Sequence, residues 1–78
     1  MYCYLCGCYL VLIWDRGEGG KSLECVLCGR YDISRDALAA MAQHPNGLDV
    51  ELNRLWLEEQ RKMNINPPLI ESQTAYWN

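Results

Sequence analysis

Two C-x-x-C-G units bracket a β-branched and aromatic run, two segments with capping residues and apolar faces follow, and a proline-containing tail closes the chain. Together these predict a small α+β domain: a β-hairpin (1–33), two helices packed on it (34–64) and an extended C-terminal segment (65–78). In a chain of 78 residues the side-chain core alone is expected to supply only about 3–5 kcal/mol of net stability, so a cross-link of some kind is required. The 50% hydrophobic and 22% charged composition is that of a folded chain and excludes an intrinsically disordered one.

The first unit, Cys3-Tyr4-Leu5-Cys6-Gly7, leads into Tyr9-Leu10-Val11-Leu12-Ile13-Trp14, whose branched and aromatic side chains read as a strand with both faces apolar. Asp15 to Lys21, with three glycines, reads as the hairpin tip rather than a phosphate cradle, because its spacing fits neither a Walker loop nor a dinucleotide fingerprint. Ser22-Leu23-Glu24 returns to the second unit, Cys25-Val26-Leu27-Cys28-Gly29.

Ser34 caps a first helix that runs to about Gln43. Asp36 lies in its first turn, and Ile33 and Leu38 stand at the positions of a hydrophobic staple. His44-Pro45 ends it, since the residue before proline is steered away from helical backbone, and His44 reads as a turn residue rather than a metal ligand or base. A second helix spans Leu48 to Met63, with Asn46 or Asp49 as cap and with Leu48, Leu52, Leu55, Trp56 and Met63 on one stripe. The expected shared core is Leu38, Met41, Leu52, Leu55 and Trp56. Glu58 and Lys62 are spaced as a surface ion pair. The tail, extended by Pro67 and Pro68, is expected to fold back over the outer face of the Tyr9–Trp14 strand, with a docking peptide for another protein as the alternative.

Eighteen residues separate Cys6 from Cys25, inside the range that reads as a four-cysteine zinc site. Two residues between ligands let the backbone curl so that both sulfurs point at one metal, and the following Gly7 or Gly29 takes a positive φ. The two units also align as a repeat, Cys3-x-Leu5-Cys6-Gly7-x-Tyr9 on Cys25-x-Leu27-Cys28-Gly29-x-Tyr31, which sets Cys8 opposite Arg30 and leaves it outside the ligand set. An odd cysteine count in a chain without an export signal favours metal thiolates over disulfides. Tetrahedral sulfur also suits iron, and zinc is the expectation.

On these motifs, residues 1–33 resemble the zinc-ribbon family, in which two such knuckles sit at the ends of a β-hairpin. The resemblance implies one structural Zn2+ on Cys3, Cys6, Cys25 and Cys28, with Gly7 and Gly29 as knuckle glycines. The sequence departs from it in the proline often found after the first knuckle cysteine, and in Cys8. Zinc ribbons serve transcription, translation, redox and protein docking alike, so the resemblance implies a fold and no activity.

The remaining composition narrows the function. Four cysteines leave a metal no open position, the single His44 has no catalytic companion, and neither H-x-E nor H-E-x-x-H occurs, so no enzyme is expected. Binding one Zn2+ through four thiolates takes the net charge from −3 to −5, the wrong sign for tracking a phosphate backbone. Direct nucleic-acid binding therefore stands as the alternative, a zinc-ribbon transcription regulator using Arg54, Arg61 and Lys62, with Tyr2, Tyr4 and Tyr9 to stack bases.

The expectation is a protein-binding module, with Val50, Leu57, Tyr76 and Trp77 available to a partner; a homodimer stays open. By size and charge alone the chain resembles small phage or mobile-element inhibitors, of anti-CRISPR or RNA-polymerase-binding type, whose target is a bacterial nucleic-acid-handling complex. Met1-Tyr2-Cys3 carries no basic leader, and the Tyr9–Trp14 run falls far short of the ~20 apolar residues that cross a bilayer. A cytoplasmic location is expected, the host cytoplasm for a phage-encoded chain.

Overall fold

The computed structural model describes residues 2–78. Strand β1 (Val11–Gly17) turns through Glu18 and Gly19 into β2 (Gly20–Cys25), and β3 (Gly29–Ile33) follows the second knuckle. With β4 (Leu69–Ile70) these form one four-stranded sheet in the order β1-β2-β3-β4, antiparallel except for the parallel pair β3–β4. The expected hairpin is thus a three-stranded meander. Residues 29–33 continue as strand because Gly29 pairs directly with Cys25 and returns the chain along β2.

The register sorts the side chains. Ile13, Leu23 and Tyr31 stand opposite one another, as do Ile33 and Ile70, so they point to one face. Leu23, Tyr31, Ile33 and Ile70 are fully buried there, in a cluster that also takes in Leu5, Ala37, Leu48, Leu57, Cys3, Cys25 and Cys28. On the opposite face Arg16 reaches across β2, and its Nε donates to Asp32 Oδ2 at 3.0 Å.

Helix α1 (Arg35–Ala40) begins as expected: Ser34 Oγ accepts the Ala37 N–H at 3.2 Å, and a 3-10 turn over Met41–Gln43 carries the helical path to Gln43. Helix α2 (Val50–Lys62) is capped by Asp49, whose Oδ1 accepts the Leu52 N–H at 2.9 Å. It starts later than expected because Leu48 is held in an antiparallel bridge with Trp77.

The buried face of α2 differs from the predicted stripe. Leu52 and Leu55 are 47% and 60% exposed, whereas Asn53 and Leu57 are 0% exposed. Leu38, Met41 and Trp56 lie half-buried at the margin of the core. The physical reason is contact with segments remote in sequence: Asn53 binds the C-terminal segment and Arg61 binds the second knuckle, and both turn the Asn53–Leu57 side inward. Among the described residues, Glu58 and Lys62 form no ion pair.

The tail also takes another route. It does fold back, but along β3 and the α1–α2 connection, leaving β1 as an open edge. Asp32 and Ser34 donate their backbone N–H groups to Pro68 O and Ile70 O at 2.8 and 2.9 Å, so the exposed donors of β3 settle where the tail lies. Ser72 Oγ donates to Asp36 Oδ2 at 2.6 Å, and Ser34 binds the other carboxylate oxygen. Farther on, the Asp49 N–H donates to Tyr76 O and the Asn78 N–H to Gly47 O, both at 2.9 Å. Among the described residues no helix is long and apolar enough to cross a membrane.

Candidate metal centre

The two knuckles flank the β1–β2 hairpin in sequence and meet at its open end, away from the glycine-rich tip, because Val11 pairs with Cys25. In the first, the Gly7 N–H donates to Cys3 O at 2.9 Å and the Cys3 N–H to Cys8 O at 3.0 Å, closing a turn that requires φ +74° at Gly7. Cys8 therefore serves the scaffold through its carbonyl, and its half-buried Sγ accepts the Leu10 N–H at 3.3 Å. In the second knuckle, Gly29 has φ +80°, and a Cβ there would lie 3.0 Å from Arg61 Nη2. Glycine at 29 thus supplies both the left-handed backbone and the room for that guanidinium.

Cys3, Cys6, Cys25 and Cys28 converge, with all four Sγ atoms within 4.8 Å of one another, and Cys8 is not among them. The Cys6 and Cys25 sulfurs are 3.6 Å apart. A tetrahedron with metal–sulfur bonds of 2.3 Å has edges of about 3.8 Å, so the spacing suits one ion coordinated by four thiolates. Cys3, Cys25 and Cys28 are buried and Cys6 is half-buried, and all five cysteines are free. The set predicted from sequence is the set the fold brings together, and it can hold a metal ion.

The surroundings favour a thiolate at Cys3, while burial raises the Cys6 thiol, and the bond to Cys3 together with burial raises that of Cys28. A hydrogen bond from Cys28 holds the Cys3 thiol well below the ordinary range against the opposing effect of burial, and the N–H groups of Cys6 and Leu5 and the Tyr31 hydroxyl add to it. Cys28, the donor in that pair, is pushed up by the same bond and by burial. Four crowded thiols thus share protons readily but resist losing the last ones without a cation between them. Tyr31 is fully buried with its hydroxyl 3.0 Å from Cys3 Sγ; burial first, then that contact, keeps the phenol protonated as a donor.

Tyr31 breaks the internal repeat. Its counterpart Tyr9 is 69% exposed, with its hydroxyl bonded to that of Tyr2 and the two rings 4.3 Å apart. Arg61 is a second feature that the sequence reading assigned elsewhere: its Nη2 donates to Cys28 O at 3.0 Å and to Arg30 O at 2.7 Å. Asn53, Leu57 and Arg61, four residues apart, share one side of α2, and that side carries Arg61 to the knuckle.

The four residues expected at a partner surface differ in exposure. Leu57 is fully buried in the core, a correction that follows from the orientation of α2. Trp77 is half-buried and stacks on His44 with ring centroids 4.2 Å apart and planes 9° apart, so His44 is a stacking residue at a turn. Val50 is half-buried at the start of α2, and Tyr76 is 43% exposed. Comparison with family models, with curated proteins and with solved structures gives no match, so the zinc-ribbon likeness rests on the knuckles themselves.

Proposed function

We propose that the chain is a zinc-stapled protein-binding module, an acidic adaptor or inhibitor that docks on a nucleic-acid-handling protein complex. The observation that carries this reading is the open edge beside the knuckles, where Leu10, Leu12 and Val26 are each 64–69% exposed around a groove that also takes in Tyr9 and Arg30. Large apolar side chains gathered at one exposed end are the usual mark of an interaction surface. Zinc is the ion of choice for four thiolates in tetrahedral array, and it acts here as a staple, because four protein ligands leave no position for substrate.

The cations support the same reading. Arg16 pairs with Asp32, Lys21 with Asp15, Arg61 with two carbonyl oxygens, and Arg30 lies over the Trp14 ring with its guanidinium carbon 5.1 Å from the centroid. Side chains engaged in this way are poorly placed to track phosphates, and the net charge of −3 opposes it further.

The test is capture from bacterial lysate with the zinc-loaded chain and a Leu10→Lys/Leu12→Lys variant, each with and without nuclease. A stoichiometric partner that resists nuclease and is lost with the variant is expected. Partners that vanish on nuclease treatment, together with salt-sensitive binding of the purified chain to DNA or RNA, would establish the nucleic-acid regulator instead.

A further inference from the structure

Asn46 is the one asparagine of this chain followed by glycine, whereas Asn53, Asn64 and Asn66 precede Arg54, Ile65 and Pro67. Asparagine is a thermolabile side chain because the next backbone nitrogen can attack its amide carbon, and a Cβ on that next residue hinders the approach. Asn46 is exposed at the third position of the turn His44–Gly47, and Gly47 has φ +71° with open space where a Cβ would stand. Among the described residues the hydrogen bonding of Asn46 is through its backbone oxygen, which leaves the side-chain amide free. The same turn holds the C-terminal segment. Asn78 Nδ2 donates to Asn46 O and Leu48 O at 2.9 and 3.0 Å, and the Asn78 N–H donates to Gly47 O at 2.9 Å. Trp77 bridges Leu48 and stacks on His44.

We propose that Asn46 is a modification site, a succinimide-forming asparagine whose conversion to isoaspartate releases the C-terminal segment from the turn. The Gly47 nitrogen attacks Asn46 Cγ and a C–N bond forms; the Cγ–Nδ2 bond breaks, and the amide nitrogen leaves as ammonia with the proton that Gly47 gave up. Water then opens the ring. Cleavage at the original main-chain carbonyl carbon leaves isoaspartate, in which the chain runs through Cβ and Cγ and the former main-chain carbonyl is a carboxylate. The oxygen that accepted the Asn78 amide then belongs to a charged group off the main chain, and an extra backbone atom displaces Gly47 O and Leu48 O from Asn78. In the closed turn the Gly47 N–H donates to His44 O at 2.9 Å, so its nitrogen is free to attack only when the turn opens. Asn78 holds the turn closed. Turn and tail thus protect one another, and the modification, once made, prevents reclosure.

The test is incubation of the full chain, with Zn2+ present, under mildly alkaline conditions, followed by peptide mass mapping with fragmentation that distinguishes isoaspartate from aspartate. Isoaspartate is expected at residue 46, ahead of any change at the other asparagines. Asn78→Ala is expected to accelerate the reaction severalfold by loosening the turn. Asn46→Gln, whose longer side chain must close a larger ring, should stay unmodified over the same period. In the isolated isoaspartate form, amide hydrogen exchange at residues 75–78 is expected to be faster than in the parent, with protection retained in the middle of α2. Asn46→Asp carries the same added charge on an unaltered backbone, and its tail should exchange at the parental rate. Absence of isoaspartate at residue 46, an Asn78→Ala rate equal to that of the parent, or parental tail exchange in the isoaspartate form would each overturn the proposal. An Asn46→Asp tail as fast as that of the isoaspartate form would overturn it too, by assigning the release to charge rather than to the rerouted backbone.

Discussion

Asn53 binds Tyr76 as a neighbouring strand would: its Nδ2 donates to Tyr76 O at 2.8 Å, and its Oδ1 accepts the Tyr76 N–H at 3.2 Å. The same Nδ2 also reaches Asp49 O at 2.6 Å, so one fully buried amide ties the tail to the first turn of α2. A buried side-chain amide with its donor and acceptor capacity met in this way specifies one arrangement of the two segments.

Asn53→Ala is therefore expected to lower stability by about 1–3 kcal/mol, the cost of leaving buried backbone groups without partners. Hydrogen exchange should localise the effect, with faster exchange at residues 75–78 and retained protection in the middle of α2. Unchanged exchange in the tail would show that the β4 pairing and the Leu48–Trp77 bridge hold it without Asn53.

Removal of metal is expected to unfold the chain. Apparent binding free energies of about 10–16 kcal/mol in small zinc domains exceed what a core of this size supplies. Strong chelator under reducing conditions should abolish the helical circular dichroism signal, and elemental analysis should find one zinc per chain. Replacing Cys3, Cys6, Cys25 or Cys28 by Ser should abolish folding, whereas Cys8→Ser should cost less than about 1.5 kcal/mol, since Cys8 supports the first knuckle through its backbone carbonyl.

The knuckle glycines should differ in sensitivity. A Cβ at Gly7 would meet nothing within 4 Å, so Gly7→Ala carries only the positive-φ penalty, about 1–2 kcal/mol. At Gly29 the same change also presses on an Arg61 guanidinium held by two hydrogen bonds, and a loss of about 2–4 kcal/mol is expected. Denaturation of zinc-loaded variants measures both. A double-mutant cycle with Arg61→Ala should reveal coupling to Gly29→Ala and none to Gly7→Ala.

Along α2, Leu57→Ala is expected to cost about 2–5 kcal/mol, as for a fully enclosed leucine, and Leu55→Ala less than about 1 kcal/mol. Equilibrium denaturation at saturating Zn2+ distinguishes them. Equal losses would mean that Leu55 is covered in solution, by a second copy or another surface.

The sequence by itself determined what depends on neighbours in the chain. The C-x-x-C-G spacing selects Cys3, Cys6, Cys25 and Cys28 and excludes Cys8. The oxygen side chains of Ser34 and Asp49 stand where helices begin, and the glycine-rich tip falls between β1 and β2. These are consequences of local stereochemistry, in which a few residues decide the outcome.

Tertiary structure alone decided which side of α2 is buried, where the tail runs, that residues 29–33 form a third strand, and that Arg61 serves the second knuckle. The α2 sequence carries apolar side chains around most of its circumference, so several orientations bury similar area and local preference separates them weakly. Directional groups far apart in sequence break the tie. Asn53 needs the Tyr76 backbone, Arg61 needs the carbonyls of Cys28 and Arg30, and the free N–H groups of Asp32 and Ser34 need the tail. Hydrogen bonds withdrawn from water must be paired, and that requirement fixes an arrangement which apolar patterning leaves open.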